Sequence, residues 1–284
     1  MELTQATSYV TADDNTRLAV HLAGTGDPLL CLPGGPMLDS AYLRDLGGLT
    51  AHRTLARLDL RGTGASDIPA DPTSYRCDRQ VADVEAVRRH LGLDRVDLFG
   101  HSAGANLAYR YLEQHPERVG SLLLVAPSPR GLGVDRTDDE RATLAASRAH
   151  EPWYPSAAAA FDRVREGSAT DADWEAIDPF TYGRWDDDVR AYNDQMNSAR
   201  HPEAAEEFAA GYDPGTTVPA LAGLEVVALV LSGELDLGNP PGLMADVAAL
   251  LGAEHVVQPG AGHFPWVDDP DAFRALAEDF VRRA

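Results

Sequence analysis

From Tyr9 to Val125, short runs of β-branched and leucine residues alternate with amphipathic stretches, so the apolar period switches repeatedly between two and 3.6 residues. That rhythm predicts strands joined by helices: an α/β chain with a mostly parallel sheet flanked by helices. Two opening runs, Tyr9–Ala12 and Arg17–Ala23, flank the turn-forming Asp13-Asp14-Asn15 and predict an antiparallel hairpin. Further strands are predicted at Leu29–Leu32, Thr54–Leu60, Val96–Phe99 and Ser121–Val125, with helices at Arg79–Leu91 and Ala103–Gln114. Between about Pro127 and Thr217 the rhythm stops; alanine-rich helical windows and scattered Trp and Tyr take its place. It resumes with a strand at Val226–Leu231, a helix at Pro241–Leu251, a strand at Glu254–Gln258 and a closing helix at Asp271–Arg283. The expected organisation is one core built from residues 1–127 and 217–284, interrupted by an inserted helical cap over 128–216.

A chain of 284 residues, 44% hydrophobic and 24% charged, can bury a large core, which sets aside disordered, collagen-like and fibrous classes. Lys and Arg total 24 against 45 Asp and Glu, a net charge of −21 that repels nucleic-acid phosphates and anionic lipid surfaces. Nucleic acid and membrane are therefore not expected partners. The charge itself is read either as solubility or as attraction for cationic substrates. Cys31 and Cys77 have no metal-ligand spacing and fall in different elements, so free core thiols are expected. The opening Met1-Glu2-Leu3-Thr4 lacks a basic, then apolar leader, and no run approaches the ~18 apolar residues of a membrane helix; a soluble, cytoplasmic protein is expected.

Gly100-His101-Ser102-Ala103-Gly104 fits G-x-S-x-G and lies between a predicted strand and a predicted helix, where the motif has mechanical meaning. A sharp strand-to-helix turn strains the serine backbone and lifts its hydroxyl clear of the sheet, so Ser102 is the candidate nucleophile. The helix that follows aims its N-terminus at the place where negative charge would develop. The N–H of Ala103 is one candidate oxyanion donor. The second is expected in Leu32-Pro33-Gly34-Gly35-Pro36-Met37, where Gly35 can approach a substrate closely and Pro36 has no N–H to give. His263, in Gly260-Ala261-Gly262-His263-Phe264-Pro265 after the last predicted strand, is the candidate general base. His101 adjoins the nucleophile in sequence, but its side chain should leave the turn on the other side. Asp236, in Ser232-Gly233-Glu234-Leu235-Asp236 after the preceding strand, is the candidate orienting acid, with Glu234 as competitor.

With these residues in their order, the chain resembles the α/β-hydrolase superfamily, and within it the proline iminopeptidase-like group of serine aminopeptidases. The order Ser, Asp, His is that of α/β-hydrolases and not that of chymotrypsin or subtilisin. Asp59-Leu60-Arg61-Gly62-Thr63-Gly64-Ala65-Ser66 resembles the group's D-x-R-G-x-G-x-S segment, and Gly262-His263-Phe264-Pro265 its histidine loop. The first of these lacks the glycine spacing of a dinucleotide fingerprint, so no nicotinamide cofactor is expected, and the chemistry calls for no metal. Two positions depart from the group: Pro33 stands where it has histidine, and Ala103 where it has tryptophan.

The resemblance implies that cap carboxylates hold a substrate's α-amino group. Tyr182-Gly183-Arg184-Trp185-Asp186 resembles the group's Trp-acidic motif, giving Asp186 first, then Glu234 and Glu207, with Trp185 and Tyr182 as walls; a solvated helix face is the alternative for Asp186-Asp187-Asp188. The implied activity is release of N-terminal residues from short peptides or amides through an acyl-enzyme. A carboxylesterase or lactonase acting on small apolar acyl compounds is the alternative, and a non-catalytic ligand-binding member a third. Epoxide hydrolase and dehalogenase chemistry, which needs an aspartate at the elbow, is excluded by Ser102.

Overall fold

The structure, a computed structural model, describes residues 6–135, 137–199 and 201–283. The opening hairpin pairs β1 (Ala6–Thr11) with β2 (Arg17–Gly24), and β2 runs antiparallel to β4 (Thr54–Leu58). All other pairings are parallel, through β3 (Pro28–Leu32), β5 (Val96–His101), β6 (Val119–Val125), β7 (Val227–Gly233) and β8 (Glu254–Gln258). The order across the sheet is β1-β2-β4-β3-β5-β6-β7-β8. Chain reversals at β3 and β5 open a crevice beyond the carboxyl ends of the central strands, where open α/β sheets bind ligands.

Strands covered on both faces read as unbroken apolar runs, which is why Pro-Leu-Leu-Cys-Leu in β3 shows no polar alternation. Alternate residues still part company: Leu30 and Leu32 join the core under α1 (Val81–His90) and α2 (Gly104–Gln114), while Leu29 and Cys31 join the opposite core with Phe273 and Phe280. Cys31 and Cys77 are buried free thiols in separate cores, and burial pushes the Cys31 thiol up to about 12, leaving it inert near neutrality.

Between β6 and β7 the described residues hold helices and no strand: α3 (Asp138–Ser147), α4 (Tyr154–Arg165), α5 (Asp171–Ala176), α6 (Asp187–Ser198), α7 (Pro202–Ala209) and α8 (Pro214–Leu221). The Trp and Tyr residues of this stretch mostly pack among themselves and against the sheet loops; Trp153 and Tyr154 meet Phe180 edge-on. The rhythm returns with β7, α9 (Pro241–Leu251), β8, the one-turn α10 (Pro265–Asp268) and α11 (Pro270–Arg283). Among the described residues no helix is long and apolar enough to cross a membrane.

The Asp59–Ser66 segment is built into the fold. The Asp59 carboxylate accepts from Ser40 N–H and Oγ, Ala65 N–H and His21 Nε2, and Arg61 forks onto Asp83 at 2.6 and 2.8 Å. The Ser40 bonds fix the loop after β4 against the loop after β3, and the Arg61–Asp83 pair ties it to α1.

Candidate active site

The turn from β5 into α2 carries Ser102 at φ 50, a left-handed conformation that costs a non-glycine residue about 1–3 kcal/mol. Backbone bonds on both sides hold it there: Ser102 N–H donates to the Val125 carbonyl at 3.1 Å, and Ser128 N–H donates to the Ser102 carbonyl at 2.9 Å. At Gly104, a Cβ would lie 2.3 Å from the Leu32 carbonyl oxygen and 2.6 Å from that of Pro33. The motif's last glycine is therefore required by the close approach of α2 to the end of β3.

His263 Nδ1 lies 2.7 Å from Asp236 Oδ2. Asp236 is fully buried, and its other oxygen accepts N–H bonds from Gly238 at 2.8 Å and Asn239 at 3.0 Å. Burial works against its charge, but the His263 ring and these donors prevail and hold the carboxyl below the usual range. An ionised carboxylate can only accept, so Nδ1 carries the proton and Nε2 is left with a free lone pair. The His263 loop is tied down by its own N–H to the Thr181 carbonyl at 2.7 Å, and by Gly262 N–H to Asp268 Oδ2 at 2.7 Å.

His101 is buried behind the elbow and is not among the residues that line the wide side of the cleft. Its Nε2 is 3.0 Å from the His263 carbonyl and its Nδ1 is 2.8 Å from Tyr42 Oη, which in turn accepts the Gly34 N–H at 2.6 Å. A carbonyl can only accept, so His101 is the neutral Nε2–H tautomer and the Tyr42 hydroxyl donates to Nδ1. Burial, then the adjacent His263, hold His101 well below the usual histidine range. One chain of hydrogen bonds thus joins the glycine loop, the elbow and the His263 loop. Gly35, at φ 118, follows Gly34; among the described residues neither its N–H nor that of Ala103 is taken by another group.

Ser102, Ala103, Gly35, Asp236 and His263 line one cavity of about 560 Å³, with Arg130 and Glu206 on its walls. The five candidates for substrate contact are not among its lining residues. Asp186 caps α6 through Val189 N–H and pairs with Arg184; Glu234 accepts the Gly260 N–H on the surface; Tyr182 is fully buried, stacked on Phe264, with Trp185 behind it. In α7 the carboxylate facing the cavity is Glu206, one residue before Glu207. Glu206 lines it with Ala205 and Ala209, a stripe legible once the helix start at Pro202 is known. Tyr42, Asn239 and Asp268, which also shape the site, have no motif around them.

The profile of the alpha/beta hydrolase fold family matches residues 27–270. The chain belongs to the α/β-hydrolase fold family and is a hydrolase of that fold. It is similar to proline iminopeptidases: 30% identical over 270 residues to one from Levilactobacillus brevis, covering 87% of this chain and 86% of that one. To another, from Heyndrickxia coagulans, it is 38% identical over 104 residues, so the match spans 36% of that relative. Among solved structures, an esterase from Exiguobacterium antarcticum superposes with a TM-score of 0.73 at 19% identity, covering 98% of this chain and 100% of the other, a likeness of fold alone.

Proposed function

We propose that this chain is a serine hydrolase working through an acyl-enzyme, an aminopeptidase of proline iminopeptidase type acting on short peptides or amides with a free N-terminus. The observation that carries the reading is the paired His263 and Asp236 on the same cavity wall as a strained, outward-facing Ser102. Ser102 Oγ attacks the carbonyl carbon, its proton passes to His263 Nε2, and the oxyanion takes the N–H groups of Gly35 and Ala103. His263 returns the proton to the leaving amine, and water then cleaves the acyl–Oγ ester with His263 again as base. Residues 128–216 serve as a cap over this cleft. Glu206 takes the α-amino group, in place of Asp186, Glu234 and Glu207, which do not line the cavity, and Arg130 faces the carboxylate end of a short peptide.

Ser102→Ala is expected to lower kcat on aminoacyl-naphthylamides at least about a thousandfold. Glu206→Gln is expected to raise their KM about tenfold or more, the loss of one charged hydrogen bond, and to leave p-nitrophenyl acetate unaffected. Full activity in Ser102→Ala would remove the nucleophile assignment. Activity confined to esters would favour the carboxylesterase alternative, which the alanine at position 103 supports.

A further inference from the structure

A second, narrower cavity of about 130 Å³ also reaches Ser102 and His263, sharing Gly35 and Thr181 with the wide one. Its remaining walls are Leu38, Met196 and Phe264 on the apolar side and His101, Asn193 and Asp178 on the polar side, and both His101 ring nitrogens are already engaged. Asn193 is already committed, accepting from the Tyr182 hydroxyl at 3.0 Å and donating to Asp178 at 2.7 Å. Leu38 and Met196, 5% and 7% exposed, also line a third cavity of about 140 Å³ between the 38–44 loop and α6. Two side chains therefore stand between a pocket that meets the nucleophile and further empty space.

Resting on the acyl-enzyme reading above, we propose that the narrow cavity holds the side chain of the substrate's acyl half, and that Leu38 and Met196 form the septum that limits its length. The reaction divides the substrate unequally. The leaving half must depart, and water enter, while the acyl half is still bonded to Ser102. The wide cavity has the room for that traffic, and the narrow one suits the part that stays. Benzene occupies a cavity of about 150 Å³, slightly larger than this one, so the narrow pocket takes a short branched chain or one small ring at most, with the α-amino group left outside it toward Glu206. Met196, unbranched and with three rotatable bonds, is the wall most easily displaced. Shortening it joins the narrow pocket to the space beyond.

The test is the rate of Ser102 labelling by p-nitrophenyl alkylphosphonates with alkyl groups from methyl to octyl, read by intact mass. In this reaction the Oγ–P bond forms, p-nitrophenolate leaves, and the serine proton passes to His263. The protein itself is expected to react with butyl in preference to octyl, and Met196→Ala to raise the octyl-to-methyl rate ratio about tenfold or more, the scale at which one or two methylenes in an apolar pocket are discriminated. Leu38→Ala is expected to act in the same direction, which keeps the test open if one variant fails to fold. Met196→Trp is expected to depress butyl labelling more than methyl. An unchanged chain-length profile in folded alanine variants overturns the septum. Absence of label on Ser102 with every phosphonate would instead overturn the acyl-enzyme reading.

Discussion

His101 and Asp268 both sit behind the His263 loop, and their titrations act on stability with opposite signs. His101 is held neutral well below the usual histidine value, so below about pH 6.5 the unfolded chain binds a proton that the folded one refuses, and acidification destabilises. Asp268 is the reverse case: burial pushes its carboxyl up to about 6, against the Gly262 N–H that favours the charge. Between its unfolded value of 3.8 and about 6 the folded state binds more protons, and acidification stabilises. Asp268→Asn, which can still accept from Gly262, removes that compensation. From pH 7 to pH 5 the variant is expected to lose more in Tm than the parent, read by thermal melts in matched buffers; a parallel loss would exclude Asp268 as the compensating group. At this scale the sequence was partly legible. Ser102 and His263 stand in motifs that mark strand ends, whereas Tyr42 and Asp268 act through contacts that close only when distant loops meet, which no local pattern encodes.

The elbow shows how two elements impose a residue type. Strand β5 and helix α2 meet at an angle that brings the helix start onto the end of β3, leaving no space for a side chain at Gly104. At Gly100 the added Cβ would meet Ala105 Cα at 3.1 Å and Leu124 Cδ2 at 3.2 Å, contacts that small shifts relieve. Gly104→Ala is therefore expected to destabilise by about 3 kcal/mol or more and Gly100→Ala by about 1 kcal/mol, read by urea denaturation. Equal losses would mean that the helix can slide away from β3. The strands were readable in the sequence because burial on both faces leaves them as apolar runs bounded by turns. The helices after β6 were readable as helical but not in phase. A one-residue error rotates a helix by about 100°, enough to exchange the cavity-facing Glu206 for Glu207.

Over the whole molecule, a charge of −21 sets a field that outreaches any single contact, and its sign is plain from composition. Its bearing on function depends on the cleft, where Glu206 and Arg130 supply both signs while the Asp236 carboxylate is buried and hydrogen-bonded to His263, Gly238 and Asn239. On the function proposed above, a substrate with a free ammonium would be drawn in by the distant field and then meet Glu206, whereas a neutral ester would feel neither. Screening separates these effects, because the Debye length falls from about 30 Å at 0.01 M to about 8 Å at 0.15 M. Over that range kcat/KM for an aminoacyl-naphthylamide is expected to fall several-fold while that for p-nitrophenyl acetate stays level. In Glu206→Gln the salt slope is expected to persist at a higher KM, because the remaining charge still steers the substrate although its anchor is gone. If ester and amide respond alike, the acidic surface serves solubility alone and the cleft does not select cations through it.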